Sequence, residues 1–400
     1  MPQFGPSQTK GPFMFSPRHP LWLVGFRPFF ALACLAGLSL PVVWILIFRG
    51  VLPAPVQRFS PVQWHAHEMF FGFGWAVLGG FLLTASKNWV GVRGYHGGTL
   101  MFLAAAWIFE RIGMSFGASW PAPLFLLSNN LFLFSVVVLL LATLIRHRGS
   151  DSYRRDNIFF LIILPLFWIA KTLLLQPEHF HPGWSMTLGL FRVAFLVMLE
   201  RTLSQFMRSA FSVEILRLPA LDTAIKALAA LLVFGALLPA PLPAGLELLL
   251  AFLLLVRLAF WHPFKGFTRL DIGIMFLGYL AIVAQLLIAA LPPPGTLGWV
   301  GTVAVHAFTF GAMGLVIPAM MIRIANGHTG RKVIFGRFEK AVLWIMIAAL
   351  LLRLVGPQFA PAAYLRWLEL AAACWFVAFG LLAWRFIPQL AHARIDGREH

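Results

Sequence analysis

The chain has 400 residues, of which 60% are hydrophobic, 15% are aromatic and only 11% are charged. This balance excludes an ordinary soluble domain, in which about a quarter of the residues are charged. The formal net charge of +17 would suit a nucleic-acid-binding protein. However, the basic residues fall in alternate connections between apolar blocks, which is the positive-inside bias of membrane proteins. We therefore predict an integral membrane protein that contacts lipid and has no nucleic-acid partner.

The apolar residues form twelve blocks, each long enough for an α-helix to cross a bilayer. In chain order the blocks are residues 21–48, 64–86, 97–118, 121–145, 157–175, 183–208, 221–240, 243–261, 269–291, 297–325, 334–356 and 363–387. The predicted fold class is therefore all-α, a polytopic transmembrane helical bundle of about twelve spans with both termini cytoplasmic. We expect residues 1–20 to form a surface arm, residues 21–387 the transmembrane domain and residues 388–400 a cytoplasmic tail.

The first block carries Arg27 in the run GFRPFF. Near the cytoplasmic face, its guanidinium is suited to hold a carboxylate such as a haem propionate. The alternative is an arginine that anchors the helix at the membrane interface. Arg323 in the tenth block is the second arginine predicted to bind a cofactor.

The second block opens with WHAHEMFFGFG, which places His65, His67 and Glu68 at the edge of an apolar run. Ionisable groups in hydrocarbon are costly and so mark candidate functional sites. Residues two apart on a helix point about 200° from each other, so His65 and His67 cannot bind one metal from a regular helix. Either His67 faces a haem while His65 and Glu68 serve a second site, suited to copper, or the first turn is distorted. A polar end-cap is the alternative for His65 and Glu68.

The tenth block contains His306 in an apolar run without a neighbouring charge. It is predicted to be a metal ligand, with a neutral imidazole bonded to a carbonyl as the alternative. His328, in the run GHTGR just after this block, is either a helix cap or a ligand on the cytoplasmic side.

The second and tenth blocks resemble each other. At a constant offset, five residues of the second block match His306, Phe310, Gly311, Val316 and Gly330; they are His67, Phe71, Gly72, Val77 and Gly91. Each histidine lies about 30 Å along a helix from the cytoplasmic end, toward the external side. If the two helices are neighbours, His67 and His306 are placed to ligate one metal, for instance as the two axial ligands of a haem.

Three runs, GFRPFF (25–30), WHAHEMFFGFGWAVLGGFLLTASKNWVG (64–91) and HAFTFGAMGLVIPAMMIRIANGHTGR (306–331), resemble the NnrS family. These membrane proteins hold haem and copper and belong to the bacterial response to nitric oxide. The resemblance implies b-type haem, copper as a second cofactor, and a multi-pass location in the bacterial cytoplasmic (inner) membrane. It also implies a protein that binds or helps to detoxify nitric oxide and relieves nitrosative stress in connection with denitrification.

The sequence departs from the family pattern at two places. The family often has a Gly-Arg run ending in Pro-Phe-Phe-Thr in the sixth span, where this chain has residues 200–207. It also often has a histidine before Leu-Gly-Tyr in the ninth span, where this chain has Phe276. If that histidine is a ligand in relatives, this chain lacks the site or uses another residue.

The predicted cofactor-binding residues are therefore His67, His306, Arg27 and Arg323. The predicted metal-binding residues are His65, His67, Glu68, His306 and His328, and no catalytic residue is identified. Two alternatives stay open: a secondary transporter with twelve spans, and a membrane oxidoreductase that uses a haem centre and an electron donor. A transporter typically shows a six-plus-six repeat, whereas the likeness here links the second span to the tenth.

Overall fold

The computed structural model describes residues 13–53, 58–291 and 298–397. Within these ranges, twelve helices are long and apolar enough to cross a membrane, so the predicted all-α bundle of twelve spans is confirmed. The helices are α1 Phe26–Phe48, α2 Pro61–Val90, α3 Gly98–Ser119, α4 Ala122–Arg146, α5 Arg154–Leu174, α6 Pro177–Phe211, α7 Pro219–Leu237, α8 Leu242–Ala259, α9 Leu270–Ala290, α10 Val303–His328, α11 Arg337–Phe359 and α12 Pro361–Ala391.

Successive helices run in opposite directions, which gives the bundle two ends. We call the end where α1 ends and α2, α6, α10 and α12 begin the distal end. The opposite end, where α1 begins and α12 ends, is called the terminal end. The predicted arm at residues 1–20 lies largely outside the described residues, as does the last part of the predicted tail at residues 388–400. These two boundaries stay predictions; α12 itself continues to Ala391.

Three helices form the centre of the bundle. In the apolar stretches of α2, α6 and α10, 83%, 78% and 72% of the residues are buried, compared with 28% in α8. The two spans that carry the matching histidines are thus both central. Polar groups placed on them are shielded from lipid by their neighbours.

Local signals in the sequence fix both ends of α2. Ser60 and Gln63 form a capping box, in which each side chain bonds the other residue's backbone N–H, and Pro61 follows the cap. The helix stops at Gly91, which adopts the left-handed conformation with φ 70°. The register of the histidines in this span is therefore set by the chain itself.

Both α2 and α10 contain a seven-residue π-helical segment, Glu68–Gly74 and Ala307–Met313 respectively. Such segments are rare and are frequent at functional sites, because the wider turn frees backbone groups and rotates the side chains that follow. In α2, the carbonyl of Gly72 accepts a hydrogen bond from Trp107 Nε1 at 3.0 Å. This bond ties the π-helical segment to α3.

Candidate functional site

A cavity of about 420 Å³ lies at the distal end, between α1, α2, α6, α10, α11 and α12. We call it the distal cavity. Its wall is largely aromatic and aliphatic, and among the described residues no Asp or Glu lines it. The polar side chains of the wall are those of His65, His181, Thr302, His306, Thr309, Arg353 and Tyr364.

His306 enters the distal cavity from the first turn of α10. Its Nδ1 lies 2.8 Å from the backbone oxygen of Thr302 and 2.8 Å from Thr302 Oγ1. With the Nδ1–H donating to the Thr302 carbonyl, the opposite nitrogen, Nε2, carries the lone pair. Metal-ligating histidines commonly have this arrangement, in which a backbone carbonyl fixes the tautomer and orients the ring.

His65 lines the same cavity from α2. Its ring stacks on the indole of Trp44, with ring centroids 4.2 Å apart and an angle of 17° between the planes. The Nδ1 atom of His65 is buried and has no hydrogen-bond partner among the described residues. Buried polar atoms are seldom left unpaired, so each such atom calls for an explanation.

Arg353 of α11 is the cation of the distal cavity. One of its terminal nitrogens, Nη2, lies 3.2 Å from Thr302 Oγ1 and 3.4 Å from His306 Nε2, the nitrogen that carries the lone pair. The guanidinium carbon is 6.0 Å from the ring centroid of Tyr364. The cavity therefore combines two imidazoles and a guanidinium within an otherwise apolar wall.

His67 occupies a different place, a largely buried ion cluster formed by α2, α3, α4 and α5. Its Nδ1 lies 3.0 Å from Glu68 Oε1, and its Nε2 lies 3.4 Å from Glu110 Oε1. Asn129 Nδ2 is 3.3 Å from the same Nε2. His67 is 0% exposed, and it does not line the distal cavity.

Two cations complete this cluster. Lys171 bonds the carboxylate of Glu110 and the backbone oxygen of Asn129. Arg111 lies 3.3 Å from Glu68 Oε2 and 3.2 Å from Glu110 Oε2. The charges of the two carboxylates and the two cations cancel when His67 is neutral, which lowers the free-energy cost of burying the cluster.

The structure thus brings His306 together with His65, whereas His67 lies with Glu68 in the ion cluster. The predicted pairing of His67 with His306 on one metal stays a prediction, and the distal cavity offers His65 as the other partner. In the part of the chain that the structure describes, no three His, Cys, Asp or Glu side chains are grouped to hold a metal ion.

The remaining predicted site residues lie at the terminal end, about 30 Å along the helices from the distal cavity. Arg27 Nη1 donates to the backbone oxygens of Leu390 and His392 at 2.7 and 2.6 Å, and so caps the end of α12. Arg323 Nη2 pairs with Asp271 at 2.5 Å. The ring of His328 packs against Phe26, with centroids 5.2 Å apart.

A second buried ion network joins α6 to its neighbours. Glu200 bonds Arg217, and its Oε2 lies 3.2 Å from Lys226 and 3.3 Å from Arg257. Arg201, next in sequence, points elsewhere and donates to Asn157 at 2.9 Å. Glu200 therefore neutralises cations of three other chain segments, which is a structural role.

The sequence marks Arg353 only as one of many ionisable residues within the spans, and it marks neither Trp44 nor Tyr364. Arg353 lies near the end of a span, where arginines commonly extend to the interface. Trp44 is one of 15 tryptophans and Tyr364 one of four tyrosines. Neither residue has a neighbour in sequence that marks it, so only the packing of helices could have found them.

Fold and cavity define a polytopic membrane protein with a histidine-lined cavity at one end of its bundle. The family model described as "NnrS protein" matches residues 20–394, nearly the whole chain. The chain therefore belongs to the NnrS family, which points to a role in the response to nitric oxide. No match was found among curated proteins.

Proposed function

We propose that this protein binds haem in the distal cavity and there binds nitric oxide, thereby relieving nitrosative stress. The observation that carries the proposal is that His65 and His306, from two different spans, line one aromatic cavity. His306 keeps the lone pair on Nε2, which in the structure lies 3.4 Å from Arg353 Nη2, and His65 Nδ1 has no hydrogen-bond partner among the described residues. We place the protein in the bacterial cytoplasmic membrane with the distal end external, in accordance with the positive-inside bias.

The residues of the distal cavity fit a flat aromatic cofactor. Trp44, Trp184, Phe310 and Trp375 supply apolar faces around the polar side chains, and imidazole is a common axial ligand of haem iron. When bound, the haem iron supplies the centre that binds a diatomic gas. The protein's own part is to orient the His306 ring through Thr302 and to exclude water by the aromatic wall.

Access to the cavity suits an apolar gas. Phe48 and Val62 belong to the cavity wall and are also exposed, 48% and 51% respectively. Both lie at ends of apolar spans, so apolar side chains border the cavity where it meets the surface of the bundle. Nitric oxide is small, uncharged and soluble in lipid, and needs no polar channel.

Copper does not have an equally defined place. Among the described residues, no three His, Cys, Asp or Glu side chains are arranged so that they could hold a metal ion, so we assign copper to no residue and derive no step through it. Turnover of nitric oxide would in addition need an electron donor. The proposal is therefore limited to binding, and consumption of nitric oxide with a reduced donor is a separate measurement.

The test is an optical and metal analysis of the full-length protein, purified in detergent from cells supplied with haem. We expect a Soret band that shifts when nitric oxide is added. His65→Ala and His306→Ala should each abolish or shift this band, while His96→Ala, at an exposed position of the terminal end, should leave it unchanged. Absence of a Soret band from the protein purified from haem-supplied cells would falsify the haem proposal.

A further inference from the structure

Arg353 is a buried cation without a carboxylate partner. The residue is 6% exposed, and no described Asp or Glu oxygen lies within ion-pair distance of it. Its hydrogen-bond partners are the side chains of Thr302, Tyr364 and His306, the last through Nε2 at 3.4 Å, and none of them is a carboxylate. The second terminal nitrogen, Nη1, is buried and has no hydrogen-bond partner among the described residues.

Several other buried cations of the spans pair with carboxylates of the protein. Lys171 pairs with Glu110, and Arg257 with Glu200 and Asp222. Arg323 pairs with Asp271. Arg192 also lacks a close carboxylate, but it is acted on by the charge of Glu247 and does not line the distal cavity. Arg353 is therefore unusual in that its charge faces a cavity.

An uncompensated buried charge is costly, and proteins normally pair such a group or use it to hold a ligand. Guanidinium groups fit the planar, two-oxygen edge of a carboxylate or a similar oxyanion. The distal cavity has room for a ligand beside Arg353 and no acidic residue in its described wall. Charge and geometry thus both call for an anionic oxygen group.

We infer that Arg353 is the anion anchor of the distal cavity and pairs with an oxyanion of the carboxylate type. This inference rests on the proposed function to the extent that it concerns the same cavity; a free oxyanion could bind Arg353 without haem. Two sources share this chemistry: a carboxylate of the bound porphyrin, or a small free oxyanion. Arg27 and Arg323, the arginines that the sequence favoured for such a role, are bound to backbone oxygens and to Asp271 respectively, at the other end of the bundle.

The experiment uses full-length protein purified without haem and reconstituted with haem b or with its dimethyl ester, in which both carboxylates are blocked. If the porphyrin supplies the oxyanion, the wild type should bind haem b about tenfold more tightly than the ester. Arg353→Gln should lose this preference. Arg366→Gln, an exposed position of α12 at the same end, should keep it.

A second arm tests small oxyanions. Formate and nitrite are added to the haem-free protein, and thermal unfolding is followed in detergent. Stabilisation of the wild type that is absent in Arg353→Gln would assign a free oxyanion to the site. Arg353→Lys, which retains the charge but not the planar guanidinium group, should give an intermediate effect. A monodisperse elution profile of each variant shows that this variant folds.

The outcomes separate the two proposals. Haem b and ester binding that are equal in wild type and Arg353→Gln, with no oxyanion stabilisation that depends on Arg353, would overturn the inference while leaving haem binding intact. Conversely, oxyanion stabilisation that depends on Arg353 in a protein that takes up neither porphyrin would support the inference and refute the haem proposal.

Discussion

His67 and His306 stand at the same point of two different spans, each directly before a seven-residue π-helical segment. The equivalence extends along both helices to Gly91 and Gly330, which have φ angles of 70° and 81°. Yet the side chains have different surroundings, because His67 bonds Glu68 inside the ion cluster and His306 faces the distal cavity. The two spans share a backbone pattern and differ in what their helical neighbours supply.

Replacing His67 by alanine should lower stability and leave the haem spectrum in place. The change removes contacts to two buried carboxylates, Glu68 and Glu110, which we expect to cost about 1–3 kcal/mol. Thermal unfolding and the Soret band are measured on the same samples. Loss of the band in His67→Ala, with the band retained in His65→Ala, would instead support the pairing of His67 with His306.

Lys171→Met should be among the most destabilising single changes in the chain. The change removes one of the two cations that pair with Glu110, which is 0% exposed. Removal of one partner of a buried ion pair costs about 3–5 kcal/mol. The double variant Lys171→Met/Glu110→Gln should recover part of the loss, since the carboxylate charge is then absent. Lys340→Met at an exposed position is the matched control; an equal loss in both variants would refute the role of the buried pair.

Gly311→Ala should destabilise the contact between α10 and α9. A Cβ at this position would overlap the Cβ of Ala281, a close approach that only glycine permits. Because overpacking costs about 1–3 kcal/mol, we expect a clear fall in the unfolding temperature. Gly245→Ala in α8 has nothing within 4 Å of the added atom and should be neutral or slightly stabilising, so a loss there would show that helix packing is not the cause.

The segment before α1 should loosen as the pH falls. Partial burial, and then the charges of His392 and Arg27, hold the pKa of His19 below its usual value of 6.5. The unfolded segment then binds a proton more readily than the docked one, so docking is favoured above about pH 6.5 and weakens as the pH falls below it. Protonation also removes the Nδ1 acceptor of the Leu21 N–H.

Hydrogen exchange of the segment that contains residues 13–25, at pH 7.5 and 5.5, measures this effect. We expect a modest increase in exchange at the lower pH, since His19 is only partly buried. The variant His19→Asn keeps a side-chain acceptor that does not titrate and should show little pH dependence. An unchanged pH response in that variant would assign the effect to another group.

Much of the fold follows from the sequence because the signals are local. The length and hydropathy of each block predict a span, and the capping box at Ser60 and the left-handed Gly91 define the ends of α2. The likeness of residues 67–91 to residues 306–330 also marked two spans that the structure finds to be central and to share a π-helical segment.

The partners of each polar side chain were decided only by tertiary structure. The sequence marked His65, His67 and His306 as costly in a membrane, but helical spacing alone left open which of them faces a cofactor. That choice depends on the rotation of α2 and on the helices beside it. Trp44 on α1 stacks on His65, and Glu110 on α3 lies 3.4 Å from His67. The sequence shows Arg353 as one of many ionisable residues in the spans, and only the structure shows that it has no nearby carboxylate among the described residues. Span and depth are properties of one helix, whereas a binding site is a property of several.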